Sequence, residues 1–222
     1  MKTEPGNYGT PDALLFDMDG TLWDAVETYT LAWNIYFEKI KLNKLLNKTD
    51  LDHLMGLEEH KFLEIVLPEF TPDQRAQSYQ EVVQIQYDLI DQRGGDIYEG
   101  VLTYIPLLSE KYKLFIISNC PKYTIHHFVK FAKINPYILD TISHGQNYRA
   151  KHQNMNSLIE KYSLRSPVYI GDTNSDMIQS RKAGIPFIFM SYGFGHCERA
   201  DTTFDSFEEF ANYFLNKRND NN

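Results

Sequence analysis

Short apolar runs recur along the chain, each stopped by polar residues. Runs at 13–16 (ALLF), 113–118 (KLFIIS), 166–171 (SPVYIG) and 185–190 (IPFIFM) have the length of buried strands, and all but the first are rich in β-branched and aromatic residues. A weaker fifth lies at 140–143 (DTIS). Apolar residues at helical spacing fill the gaps at 100–112, 122–133, 152–162 and 174–183. Gly184 stops the last of these, with Pro186 just beyond it. Strands alternating with helices predict an α/β fold: a doubly wound parallel sheet, Rossmann-like, covered on both faces.

Residues 24–96 show a different pattern, with few strand signals and several helical ones. The first helix is expected to start at Asp24 as N-cap, with Val26, Tyr29, Trp33 and Phe37 forming an apolar stripe that reads as local core. A second begins with Thr71 as cap and Pro72 at the first helical position, and stops at Gly94 and Gly95. The expected organisation is therefore an α/β core domain from residues 1–23 and 97–222, with 24–96 inserted as a small helical cap domain.

In a doubly wound sheet a ligand sits outside the carboxyl ends of the strands, near a switch point of the strand order. The residues just after each run should then form one chemical set. They are Asp17, Asp19, Gly20 and Thr21 after the first, and Ser118 and Asn119 after the second. Lys151 comes after the weak strand, and Asp172, Asn174, Ser175 and Asp176 come after 166–171. Acidic oxygens from two loops suit a hard cation such as Mg²⁺, which also binds substrate phosphate oxygens. A lysine and a serine hydroxyl suit the remaining phosphoryl oxygens. One carboxylate in that setting can act as nucleophile, and a second can move the proton. Crowded like charges at the end of an apolar strand make sense around a cation and a phosphate.

The segment Asp17-Met18-Asp19-Gly20-Thr21, then Ser118 after LFII, then Lys151, then GDTNSD at 171–176, resembles the four motifs of the haloacid dehalogenase-like hydrolase superfamily. The likeness runs from about Leu14 to Gly195, and the insertion is similar to the helical cap of the phosphoglycolate phosphatase-like and phosphomutase-like branch. The resemblance implies Asp17 as nucleophile and metal ligand. It implies Asp19 as general acid/base, with its backbone carbonyl also on the metal. Thr21 would support the loop and, with Ser118, Asn119 and Lys151, serve phosphate binding. Asp172 would complete the Mg²⁺ site and Asp176 would support it. Many relatives carry proline after the lysine, where this chain has His152.

The implied function is a Mg²⁺-dependent phosphatase for a small phosphorylated metabolite, phosphoglycolate-like or a sugar phosphate, acting through an aspartyl-phosphate. A sugar phosphomutase shares that intermediate. A phosphonatase would, by resemblance, need a cap lysine, for which Lys61 stands in a suitable region. A dehalogenase has no need of Asp19, and a catalytically silent binding protein has no need of both Asp17 and Asp19.

Other classes fit less well. A net charge of −8 without a basic patch argues against nucleic acid as partner, since Lys217 and Arg218 read as part of a tail. The two cysteines, Cys120 and Cys197, have no metal-ligand spacing and read as free thiols. Neither a secretory signal nor a membrane span is expected, so a cytoplasmic location is. DTNSDM at 172–177 mimics a calcium loop but has Met177 where the turn glycine belongs and Ala183 where the closing glutamate belongs. His126 and His127 are expected in surface or packing roles, and His53 and His60 on exposed helix. Gly193 and Gly195, in YGFG, either let backbone approach the site or form an ordinary turn.

Overall fold

The structure, a computed structural model, describes residues 10–216, so Lys217 and Arg218 lie outside the described residues. The chain opens with β1 (Ala13–Phe16) and β2 (Trp23–Asp24), then four helices: α1 (Val26–Lys39), α2 (Lys48–Asp52), α3 (Glu59–Val66) and α4 (Pro72–Arg93). After β3 (Asp96–Ile97) come α5 (Val101–Ser109), β4 (Lys113–Ser118), α6 (Thr124–Phe131), β5 (Asp140–Ser143) and α7 (His144–Asn147). The remainder is α8 (Lys151–Tyr162), β6 (Pro167–Gly171), α9 (Asn174–Ala183), β7 (Phe187–Met190), β8 (Thr202–Phe204) and α10 (Phe207–Asn216).

Six strands form one parallel sheet in the order β5-β4-β1-β6-β7-β8. The chain adds β4 and β5 on one side of β1, then crosses back to place β6, β7 and β8 on the other. The strand order reverses about β1, so the crevice at its carboxyl end is flanked by the ends of β4 and β6. Register holds those ends level: Phe16 pairs with Ile116 and with Ile170, and Ser118 pairs with Ser143.

Strand periodicity divides the core into two layers. Leu14, Phe16, Leu114, Ile116, Val168 and Ile170 face one side, where they pack with residues of α5, α6 and α10. Ala13, Leu15, Phe115, Ile117 and Tyr169 face the other, against Met155 and Leu158 of α8. The short β8 and the helix α10 are additions to the five expected strands and their helices. In α10, Phe207, Phe210, Ala211 and Phe214 fall at i, i+3, i+4 and i+7 and are all buried. Phe207 packs at a tilt and Phe210 edge-on against Phe16, joining the helix to the central strand.

The helical segment is built as its sequence suggests, with one shift. Thr71 accepts from the Gln74 N–H while the Gln74 side chain accepts from Thr71 N–H, and the helix they open ends at Gly94. Asp24 instead lies in β2, paired antiparallel with Asp96. Its Oδ1 accepts from Val26 N–H at 2.9 Å across Ala25, the residue at the N-cap, and its Oδ2 takes Lys48 at 2.7 Å. Trp33 and Phe37 are fully buried, as their stripe predicts. The two-stranded β2–β3 ribbon lies where the chain leaves the first strand and where it returns.

Between the helical segment and the sheet, α4 packs on α6. His127 stacks on Tyr87 at 4.6 Å and bonds Asp91 through Nδ1 at 2.8 Å, a packing role of the kind expected for it. Among the described residues no helix is long and apolar enough to cross a membrane.

Candidate active site

The ends of β1, β4 and β6 and the start of α8 converge on one buried cluster. The Lys151 ammonium donates to Asp17 Oδ2 at 2.8 Å and to Asp176 Oδ1 at 2.6 Å. Asp17, Asp172 and Asp176 each offer an oxygen within 4.8 Å of the others. All four side chains are buried. Lys151 reaches the cluster because it opens α8. His152, the next residue, turns to α9, where its Nδ1 meets Gln179 Oε1 at 2.8 Å.

Electrostatics in this cluster are governed by burial. Burial pushes the Asp17 carboxyl up to about 6, against the pull of Lys151. Burial also raises Asp172 well above the carboxylate range, and repulsion from Asp176 and Asp17 adds to it. For Lys151 burial works to discharge the ammonium, yet attraction to Asp17 and Asp176 wins and holds it well above the usual lysine value. Three carboxylates thus surround one ammonium, and fully ionised they leave two negative charges without a counterion among the described residues. An all-oxygen, negatively charged donor set of this kind fits a hard divalent cation such as Mg²⁺. Asp176 is already engaged: Oδ1 takes Lys151, and Oδ2 takes the Thr173 hydroxyl at 2.6 Å and its N–H at 3.1 Å. Asp17 and Asp172 are the members that line the cavity.

Glycines permit this crowding. Gly20 has φ +78°, and a Cβ there would overlap the Asp172 carboxylate. A Cβ at Gly193 would overlap Asp172 and the Gly20 carbonyl. The YGFG segment therefore brings backbone to the site: Phe194 N–H donates to Asp172 Oδ2 at 2.8 Å. Tyr192 anchors the segment by donating to the Thr21 carbonyl at 2.7 Å.

Asp19 sits apart from the carboxylate cluster. Its Oδ1 accepts from the Tyr29 hydroxyl at 2.9 Å and from the Trp23 indole N–H at 3.0 Å. Burial raises its carboxyl to about 7, with the Tyr29 hydrogen bond opposing. Tyr29 was not identifiable as a site residue from sequence, because an apolar stripe reads the same whether or not its hydroxyl finds a carboxylate, and Trp23 lies in a two-residue strand too short to show a pattern. Ser118 and Asn119 line the same cavity. Neither caps α6, which starts at Thr124, and Asn119 Nδ2 reaches the Gly56 carbonyl at 3.2 Å. Thr21 is fully buried and is not among the residues lining the cavity. Lys61 is solvent-exposed, 3.3 Å from Glu58, and does not line the cavity either.

The cavity has two unlike walls. Carboxylates, Ser118, Asn119 and Lys151 form its floor at the sheet, and Trp33, Leu51, Leu54, Met55, Leu57 and Phe62 dominate its roof in the helical segment. Cys120, a buried free thiol, lies on the floor.

Comparison with known proteins finds relatives of the same fold. A phosphoglycolate phosphatase of Vibrio vulnificus is 23% identical over 198 residues, which cover 83% of this chain and 86% of the relative. The crystal structure of a predicted phosphoglycolate phosphatase from Haemophilus somnus superposes with a TM-score of 0.81 at 17% identity, over 92% of this chain and 98% of that one. The haloacid dehalogenase-like family hydrolase of Streptococcus pneumoniae superposes at 0.76 and 20% identity, over 92% and 99%. The family model for haloacid dehalogenase-like hydrolases matches residues 14–190, from β1 through β7 and so across every strand end of the site, and the chain belongs to that family.

Proposed function

We propose that this protein is a Mg²⁺-dependent phosphatase that hydrolyses a small phosphorylated metabolite by way of an aspartyl-phosphate on Asp17. One observation carries the reading: a buried ammonium held between Asp17 and Asp176, with Asp172 beside them, at the floor of a cavity. Lys151 and Ser118 bind the phosphoryl oxygens by charge and hydrogen bond. A carboxylate oxygen of Asp17 bonds to phosphorus as the ester P–O bond breaks. Asp19, oriented by Tyr29 and Trp23, gives its proton to the leaving alcohol and then takes one from the water that releases phosphate. Asp17 and Asp172, with the Asp19 carbonyl, would hold Mg²⁺, which when bound offsets negative charge on the phosphoryl oxygens.

Residues 24–96 act in this reading as a cap on a core of 1–23 and 97–222. The β2–β3 ribbon at the two crossings and the Asn119–Gly56 hydrogen bond across the cavity support that role. By excluding water the cap strengthens each charge interaction beneath it. The name of the Vibrio vulnificus relative brings forward phosphoglycolate as a substrate, and the resemblance of the cap brings forward a sugar phosphate. A phosphomutase differs only in returning the phosphoryl group to a sugar, so conversion of a hexose 1-phosphate to its 6-phosphate separates the two.

The test is phosphate release from an aryl phosphate with added Mg²⁺. Chelator is expected to abolish it, and Asp17→Asn to lower it by at least about 10³-fold. Turnover that survives Asp17→Asn would end the proposal.

A further inference from the structure

We infer that the leaving group carries no negative charge and has an apolar body, so that an alkyl or aryl phosphate monoester, rather than a phosphorylated acid or a bisphosphate, is the preferred substrate class. The inference rests on the phosphatase reading above and deepens it. The phosphoryl group is served by the floor. The organic portion beyond the ester oxygen meets the roof, where six of the lining residues are Trp33, Leu51, Leu54, Met55, Leu57 and Phe62.

Charge decides against an acid. Lys151 is the single cation among the described residues that line the cavity, and two carboxylates already hold it. No arginine or histidine lines the cavity among them. The charged residue on the roof is Glu59, at the first turn of α3, of the wrong sign for a carboxylate or a second phosphate. An anion on the leaving group would therefore lose its water against apolar side chains and meet a like charge. The other polar groups of the roof are neutral: the Trp33 indole N–H, buried without a partner among the described residues, the Tyr79 hydroxyl and the Gln86 amide suit an ether or hydroxyl oxygen but do not offset a full charge. An apolar body gains from the same wall, because its surface leaves water on binding.

The experiment compares benzyl phosphate, phosphoethanolamine, phosphoglycolate and fructose 1,6-bisphosphate as substrates of the full chain with Mg²⁺. It is repeated as a binding measurement by calorimetry on Asp17→Asn. The expected result is a kcat/KM for benzyl phosphate at least tenfold above that for phosphoglycolate and the bisphosphate, with the same order in affinity. Phosphoglycolate or the bisphosphate ranking equal or first overturns the inference, as does phosphoethanolamine ranking first. Hydrolysis of none of the esters would refute the phosphatase reading, and the affinity order would then still decide the nature of the roof. Glu59→Lys supplies the missing cation at a partly exposed position. It is expected to narrow the benzyl-to-glycolate ratio at least threefold, and an unchanged ratio refutes the charge argument.

Discussion

Floor and roof of the cavity are built by opposite rules. The floor takes one or two side chains from each of several distant strand ends and fixes them by charge: Lys151 binds Asp17 and Asp176, Thr173 binds Asp176, and the Phe194 N–H binds Asp172. The roof comes from contiguous helices, and the Trp33 ring packs at a tilt against both Phe37 and Phe62. Directional bonds to ionised groups tolerate little substitution, whereas an apolar wall of adequate volume tolerates much. Chemistry is thus expected to reside below and selectivity above.

The sharpest way to break that division is Lys151→Met. It strands Asp17 and Asp176 as buried like charges, so kcat is expected to fall by at least about 10²-fold. Loss of a buried ionic partner also costs about 3–5 kcal/mol, a fall in melting temperature of roughly 10 °C. Kinetics and a thermal melt read both. Gly193→Ala comes next: its methyl group would push Asp172 out of place, and a drop of about tenfold or more in kcat, rather than a change in KM, is the outcome that fits. A roof substitution should behave differently. Leu54→Ala is expected to raise KM several-fold and to leave kcat within about twofold, as loss of uniform binding does. Equal loss of kcat would erase the distinction between the walls.

Much of the floor was legible because Asp17, Ser118, Asn119 and Asp172 end or directly follow runs that periodicity marks as strands, and Lys151 opens a helix beyond the fifth run. Three strands, 13–16, 113–118 and 140–143, and one helix, 174–183, match their expected bounds in full. The roof was not legible in the same way. Tyr29 belongs to an apolar stripe with Trp33 and Phe37, and nothing in that spacing says its hydroxyl meets Asp19. Asn119 finds Gly56 across 63 residues, a tertiary contact that local pattern does not encode. β8 is only three residues long, too short to show a period. The phenylalanines of α10, by contrast, carry a readable helical spacing, although no helix was expected there. Thr21 matches a motif by position yet is buried below the loop, because spacing fixes backbone location and not the direction of a side chain.

Smaller effects refine the comparison. Tyr29→Phe removes one of the two donors that orient Asp19, and a loss of about three- to tenfold in kcat is expected. Far from the site, Asp140 supplies a control on the sheet edge. Burial tends to raise its carboxyl, but hydrogen bonds from Lys161, Thr141 N–H and Tyr162 win and hold it below the ordinary range. A depressed folded value contributes stability above the unfolded pKa, and that contribution fades as pH falls through the folded one. Asp140→Asn is therefore expected to cost about 0.5–1 kcal/mol at neutral pH and to approach the parent as pH falls below the ordinary carboxylate range, with activity unchanged. Denaturant melts across pH read this directly.

The partners of Lys151 stand 134 and 25 residues away along the chain. Bringing them together closes one of the longest loops available to the polypeptide, and that entropy is recovered only when β1, β6 and α8 are all in place. Turnover should consequently be the last property to return during refolding, later than recovery of helical signal, making the enzyme its own sensor of a finished sheet.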